Sequence, residues 1–437
     1  MKLIYLADSV IPSRSANSVH VMKMCQAFAA AGHAVHLVVP DKKESQLDNV
    51  ADVFAFYGVE PSFAVHRVVW PHVPKGGRLW AWYAARYAAE LRPDIVYGRS
   101  PKACLHAADA GLPVVFEEHR FLWKARSRAP RASHLLRGGI EGVGAFVRSQ
   151  LRARRSPNAA GHGARPPLAV YRDLIRNGGF ASADYLFERL CTHPRLVRFI
   201  TITHALKRDI VDTYPEIANR ITVAPDGADL APAQPAADIC LIAGQGAVQV
   251  GYCGQFFPGK GMELIEDLVP LCPWADFHIV GGHEPELQAW RTRLGRHANI
   301  HFYGYVEPHV AAAYIHRFDI CLLPNQPSVQ TRSQKADIGP YTSPLKMFEY
   351  MAAGKPIIAS DLDVLKEILI HNHNSLLCPY DNPAAWADTL KQLVEQPERG
   401  RRIGAQAKLD LAAFYTWRAR ADRVLANAPP PFSAREA

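Results

Sequence analysis

Tyr341–Asp361 reads YTSPLKMFEYMAAGKPIIASD. Ser343 before Pro344 predicts an N-cap with proline at the first helical position. LKMFEYMAA contains good helix formers and no internal Gly or Pro, which predicts a helix of about ten residues. Gly354 fits the left-handed residue that ends a helix, Lys355-Pro356 breaks the chain, and IIAS predicts a short buried strand. The helix opens with unpaired N–H groups and a positive dipole end, which suits a phosphate. Leu345 and Glu349 are four apart and share a face. A nucleotide calls for this pairing: donors for the diphosphate, and a carboxylate one turn on for two ribose hydroxyls. An ordinary amphipathic helix with an exposed Glu fits the same residues.

SPLKMFEYMAAGKPIIASDL resembles the nucleotide-sugar segment of the family 4 glycosyltransferases, retaining enzymes of the GT-B fold. Their pattern holds two Glu separated by seven residues. Glu349 matches the second, which binds the ribose. Tyr341 stands where the first would touch the donor sugar. The resemblance implies that Ser343, Pro344, Leu345 and Lys346 surround the nucleotide with Glu349, and that the sugar contact at Tyr341 is altered.

Upstream, Val248–Leu268 reads VQVGYCGQFFPGKGMELIEDL, a strand, a loop and a helix. Gly251 and Gly254 allow a tight turn. Pro258-Gly259-Lys260-Gly261 places an ammonium at a helix start, where it can meet a diphosphate, although a surface lysine in a turn fits as well. The family carries a basic pair in this loop. Lys260 matches its second member, and Gln255 stands in place of the first. The resemblance therefore assigns Lys260 to stabilising the leaving group and puts Gly254 and Gln255 beside the donor. FHIVGG, NIHFYGYV and DICLLP predict three more strands, and Gly281-Gly282 suits close approach to a nucleotide. Neither half carries the dinucleotide GxGxxG pattern. Asp361-Leu362-Asp363 is a DxD triplet to which no metal role is assigned.

In the first half, KLIYLAD, a polar loop, VHVMKMCQAFAAAGH and AVHLVVP predict a βαβ unit with a parallel sheet. Ser15, Ala16 and Asn17 are small enough for the backbone to approach a ligand. The family has Gly-Gly near Ser15-Ala16, then a His-Val pair like His20-Val21. A solvated or capping role is the plainer reading of His20. PVVFEEH (Pro113–His119) predicts a strand with Glu118 and His119 at its carboxyl end, where parallel sheets bind ligands. A histidine there can hydrogen-bond a sugar hydroxyl while a carboxylate orients it. The resemblance assigns His119 to the donor sugar. LWAWYAARYAAEL (Leu79–Leu91) predicts a core helix. Residues 120–198 hold roughly a dozen more basic than acidic side chains, with apolar residues between them, which suits an anionic bilayer or a lipid-diphosphate acceptor. A solvated basic face is the plainer reading. The resemblance assigns Asp226–Asp229 to the family's DG-x-D turn, and YTWRARADRVL to a helix that crosses back onto the first domain.

With 437 residues the chain expects two domains: 1–230 on the acceptor side with a basic insertion near 120–198, a linker at 231–246, a nucleotide-sugar domain at 247–411, and 412–437 as returning helix and tail. No apolar run reaches the roughly 18–20 residues that span a bilayer, and MKLIYLADSV lacks signal-peptide features, so a cytoplasmic location on the inner membrane face is expected. Eight scattered Cys without a CxxC pair argue against zinc and disulfides. The net charge of +9 suggests an anionic partner; nucleic acid is not expected, for no binding motif accompanies it. The expected architecture is α/β, two Rossmann-like domains facing a cleft. The expected reaction is retaining glycosyl transfer from a nucleotide-sugar to a lipid-linked or glycan acceptor, with no cofactor or metal. A nucleotide-sugar epimerase of the same fold and a non-catalytic nucleotide-binding homologue are the alternatives.

Overall fold

The computed structural model describes residues 1–42, 47, 50–71, 76–121, 183–230, 239–242, 244, 246–330 and 337–426. The first sheet contains β1 (Lys2–Leu6), β2 (Ala34–Asp41), β3 (Ala64–Val69), β4 (Ile95–Gly98), β5 (Val114–Glu118), β6 (Leu196–Thr201) and β7 (Ile221–Val223). The second contains β8 (Val248–Gly254), β9 (Ala275–Gly281), β10 (Ile300–Gly304), β11 (Ile320–Leu323), β12 (Ile357–Ser360) and β13 (Leu376–Cys378). Their orders are β3-β2-β1-β4-β5-β6-β7 and β10-β9-β8-β11-β12-β13. Neighbouring strands are parallel, as in Leu3 opposite Val35 and Ile95. The order in which the chain adds strands reverses between β1 and β4 and again between β8 and β11, with all strands parallel. At such points the carboxyl ends of the strands open a crevice for ligands.

The sequence builds this by the usual logic of buried parallel strands. β4, β11 and β12 are buried along their whole length, because helices cover both faces of each sheet. Two apolar clusters flank each sheet. The edge strands β3 and β13 were outside the sequence expectation. β3 carries His66 and Arg67, and β13 has three residues, so neither presents an apolar run.

The chain passes between the sheets after β7 and again at Leu411–Tyr415, a π-helical turn. Thr416 then caps the helix Trp417–Leu425, its hydroxyl accepting from the Ala419 N–H at 3.0 Å. Trp417, Ala421, Val424 and Leu425 pack into the first domain's core with Val21 and Phe28. The two passages touch: the Ala228 N–H donates to Tyr415 O at 3.2 Å, and the Trp417 N–H to Ala228 O at 3.3 Å. Gly227 is required there, since a Cβ would lie 2.5 Å from Tyr415 O. Most of the basic stretch 120–198, and most of the linker 231–246, lie outside the described residues.

Candidate active site

The second domain's side of the site is built on β8, β11 and the helix Leu345–Ala353. That helix ends as read, with Gly354 in the left-handed region at φ 68°. Its start differs: Pro344, not Ser343, is the cap residue, with extended backbone and no side-chain capping bond. The Ser343 hydroxyl instead accepts the Asp226 N–H of the first domain at 3.1 Å. Tyr350 fixes the helix to the sheet, its hydroxyl accepting from the Cys253 N–H at 2.8 Å.

The first turn carries Lys346, buried, with its Nζ 3.8 Å from the centroid of the Tyr252 ring and no hydrogen-bond partner. Tyr252 in turn holds the loop after β8: its hydroxyl donates to Gln255 O at 2.8 Å and sits 3.3 Å from Lys260 O. From the other side the Gln326 N–H donates to Gly259 O at 2.9 Å and the Gln330 N–H to Pro258 O at 3.0 Å. Lys346 thus packs on the tyrosine that holds the Lys260 backbone, and Lys260 bears on it electrostatically. Burial pulls the Lys260 ammonium down to about 8. Burial, and then Lys260, hold Lys346 well below the usual lysine range. Two buried amines that repel one another favour an anion beside them. Glu349 lies one turn further on. Burial pushes its carboxyl up, against the pull of Lys23 and Lys346.

Gly281 and Gly282 do not approach an open site. A Cβ on Gly281 would lie 2.1 Å from Gly254 O, and the Gly282 N–H donates to that oxygen at 3.0 Å. These glycines let β9 close onto β8 and so shape the Gly254 loop from behind. Gln255 keeps a buried Oε1 without a partner.

The facing side is a polar knot at the ends of β4 and β5. Glu117, buried, is its centre. It accepts from the Tyr97 hydroxyl and from His119 Nε2. Its oxygens lie 3.0 Å from His20 Nε2, 3.0 Å from Arg420 Nη2 and 3.8 Å from Arg99 Nε. His20 Nδ1 lies 2.9 Å from Asp226 Oδ1. The His20 ring nitrogens and Arg420 Nη2 make these close approaches without a hydrogen bond. Burial alone would raise the Glu117 carboxyl; Arg420, then His20 and His119, reverse this and hold it well below the usual carboxylate range. Asp226 follows the same pattern, with His20 the chief opposing partner. Burial, then Arg99, brings His119 down to about 4, so its ring is neutral at pH 7. A carboxylate only accepts, so His119 Nε2 carries the proton and Nδ1 offers a lone pair.

The expectation that Glu118 orients His119 is corrected. Residues two apart share a face of an extended chain, so Glu117 reaches the ring. The Glu118 carboxylate turns back to accept the N–H of His119 at 3.0 Å and of Arg120 at 3.3 Å, and burial pushes it up to about 7. His20 is neither solvated nor a cap; it is buried in the knot. Ser15 caps the first helix, Ala16–Ala30, accepting from the Ser18 N–H at 3.2 Å. Asn17 donates to Ser9 Oγ at 2.6 Å, so both side chains serve the loop after β1. Tyr341 also departs from its expected place beside the donor sugar. It is 3% exposed, packs in the first domain's core, and its hydroxyl donates to Asp209. The sequence reading passed over Glu117, Arg420 and Lys23. Lys23 lies one turn beyond His20 and bonds Asp229 at 2.8 Å and Gly58 O at 2.6 Å.

Among the described residues, His20, His119 and Asp226 could hold a metal ion, their ligand atoms lying within 4.8 Å of one another. The guanidinium groups of Arg99 and Arg420 already supply positive charge to this knot. Two cavities lie between the domains, one of about 470 Å³ by Arg14 and Tyr305, the other of about 360 Å³ by His204, Pro225 and Phe414.

Two doubly wound domains, with a basic pair and a carboxylate on one side and a histidine knot on the other, define a glycosyltransferase of the GT-B fold. Residues 18–154 match the model described as Glycosyltransferase Family 4, and residues 247–396 that described as Glycosyl transferases group 1. The chain belongs to the family 4 glycosyltransferases. It is 30% identical over 176 residues to a phosphatidyl-myo-inositol mannosyltransferase of Mycobacterium leprae, covering 38% of this chain and 42% of that one. It is 25% identical over 345 residues to a GDP-mannose-dependent alpha-(1-6)-phosphatidylinositol dimannoside mannosyltransferase of Mycobacterium tuberculosis, covering 67% of this chain and 84% of that one. Among solved structures it superposes on sucrose-phosphate synthase from Thermosynechococcus elongatus with a TM-score of 0.61 at 17% identity, covering 96% of each chain. Anabaena HepE in complex with UDP gives 0.57 at 16%, covering 97% of this chain and 98% of that one.

Proposed function

We propose that this enzyme transfers a hexosyl group, with retention, from a nucleoside-diphosphate sugar to a hydroxyl of a lipid-linked or cell-surface glycan acceptor. The observation that carries this reading is the cluster of Lys260, Lys346 and Glu349 at the carboxyl ends of β8 and β11. The two ammonium groups meet the diphosphate, and Glu349 accepts from the ribose hydroxyls. As the bond from the anomeric carbon to the diphosphate oxygen breaks, negative charge grows beside Lys260 and Lys346, which favours the transition state over the bound donor. The acceptor oxygen bonds to the same face of that carbon, and its proton passes to the departing diphosphate. His119 Nδ1 accepts from a sugar hydroxyl and holds the ring in place. Lys346 brings back the positive charge that Gln255 lacks, which favours turnover over mere binding. The mannosyltransferase names of the relatives suggest a GDP-mannose donor and a phosphoinositide-like acceptor.

Among the described residues no helix is long and apolar enough to cross a membrane. The basic stretch 120–198 supports attachment to an anionic lipid surface, where such an acceptor is presented. The test is a binding screen of UDP-, GDP- and ADP-sugars, then turnover on lipid-diphosphate and phosphatidylinositol acceptors, with NMR of the product anomer. An inverted product overturns retention. Absence of nucleotide-sugar binding overturns the reading itself.

A further inference from the structure

The helix His204–Thr213 belongs to the first domain. It follows β6, and Leu206 and Ile210 pack into that domain's core. Its start is served from two directions. Thr203, the local cap, accepts from the Leu206 N–H at 3.1 Å. The N–H groups of His204 and Ala205 donate instead to the two carboxylate oxygens of Glu367, at 2.7 and 2.8 Å. Glu367 belongs to the second domain, 163 and 162 residues further along the chain. A carboxylate suits this place, because unpaired N–H groups and the positive end of the dipole meet there. The helix does not need one from another domain. His204 is exposed, so water can satisfy its N–H, and Thr203 already caps the turn. What the Glu367 carboxylate adds is a link between the two domains.

Both ends of this link are anchored close to the site. Glu367 lies in the turns after β12, where Leu365, Ile368 and Leu369 share one apolar cluster with Met347, Phe348 and Met351 of the helix Leu345–Ala353. That helix carries Lys346 and Glu349. On the other side, the capped helix begins three residues after β6, and β6 pairs with β5 with Thr201 opposite Glu118, the residue before His119. A second tie holds the same helix: the Tyr341 hydroxyl donates to Asp209, about 7 Å further along the axis at about 1.5 Å per residue. Two ties at separated points fix an angle as well as a distance. We propose that Glu367 is a positioning residue: by capping the helix His204–Thr213 across the domain boundary, it sets the donor site of the second domain against His119 and the acceptor side of the first. The bridge does not depend on the functional reading above; its catalytic consequence rests on that reading. Transfer needs reacting atoms about 3–3.5 Å apart. With the donor on one domain and the acceptor on the other, a change in the angle between them widens that gap.

The test compares the full chain with Glu367→Ala, Glu367→Gln and Thr203→Ala. Small-angle X-ray scattering reads the domain arrangement, and calorimetry with GDP reads the nucleotide site. Single-turnover transfer from GDP-mannose to phosphatidylinositol reads the chemical step apart from product release. In Glu367→Ala the radius of gyration should rise, and the single-turnover rate should fall by up to about a hundredfold, the cost of misplacing reacting groups by about 1 Å. GDP affinity should stay within about twofold, because Lys260, Lys346 and Glu349 all belong to the second domain. Glu367→Gln keeps one acceptor oxygen at the same reach, so both readouts should fall between those of Glu367→Ala and the native protein. Thr203→Ala removes the local cap and leaves the bridge in place. It should lower the melting temperature while the scattering and the rate stay native. A native rate and a native radius of gyration in folded Glu367→Ala overturn the inference. So does an equal loss of rate in Thr203→Ala, which would make helix stability the cause. If Glu367→Ala does not fold, Glu367→Gln decides by the same two readouts. If the native protein transfers nothing from GDP-mannose, the functional reading has failed, and the scattering comparison still decides the bridge.

Discussion

Raising the pH from 7 to 9 should weaken nucleotide-sugar binding about tenfold through Lys260. Burial brings its ammonium down to about 8 in the free protein. A bound diphosphate restores it to the ordinary range or above, so the donor binds the protonated form. Affinity is full below pH 8 and falls as pH rises through 8. At pH 7 about one site in eleven lacks the proton and at pH 9 about ten in eleven do, a tenfold change or about 1.4 kcal/mol. Titration calorimetry with an intact nucleotide-sugar avoids a confusing ligand proton, since its diphosphate does not titrate in that range. Run at pH 8 in two buffers of different ionisation enthalpy, it should show uptake of about half a proton assignable to Lys260. Lys346 is also held below the usual lysine range, so Lys346→Met isolates the Lys260 step and Lys260→Met abolishes it. A flat affinity from pH 7 to 9 in the native protein, or an unchanged step in Lys260→Met, refutes the reasoning.

Glu349→Ala should weaken nucleoside-diphosphate binding by roughly 2–3 kcal/mol, the scale of charge-assisted hydrogen bonds; equal affinity by calorimetry removes the ribose role. Tyr341→Phe should lower thermal stability by about 1 kcal/mol through the lost Asp209 bond while sparing the choice of donor sugar; a changed sugar preference would return Tyr341 to the donor site. Glu118 has a carboxyl raised to about 7, so its ionisation opposes folding as pH climbs from the unfolded value through 7. Glu118→Gln should therefore raise the melting temperature at pH 8 and leave it unchanged at pH 4, and equal shifts at both would contradict this. Native protein should sediment with anionic vesicles at low salt and less at high salt, each basic group contributing about 1 kcal/mol. Changing the arginines of 148–155 to Ser should reduce that without loss of nucleotide binding, and indifference to anionic vesicles ends the membrane reading.

The site helix, its glycine stop and the strand after it were legible because propensity, the left-handed glycine and burial agree over Leu345–Ser360, whereas the expected Ser343 cap gave way to Pro344. The alternation of β-strands was legible for the same reason, except at the edges, where β3 and β13 lack a continuous apolar run. Glu117 could have been found: strand periodicity puts 117 and 119 on one face, and the reading stopped at the adjacent residue. Lys23 had a weaker signal, one helical turn beyond His20. Arg420 had none, since its partners Pro225, Tyr97 and Glu117 are joined to it only by the fold. Tyr341 shows the limit of pattern matching. The motif position is kept, but the side chain that fills it is aromatic, and it finds an apolar core across the cleft.

The pairing of Ala228 with Thr416 sets how this molecule can open. Two covalent passages that ran separately would let the domains shear and twist as well as part. Joined by backbone hydrogen bonds, they form one ribbon, and the motion that leaves it intact is a swing about its length, like a door on a single pin. Points near a pivot move least. Pro225 and Arg420 lie three and four residues from Ala228 and Thr416 respectively. A swing about that ribbon would leave the knot around His119 beside the pivot with its contacts intact.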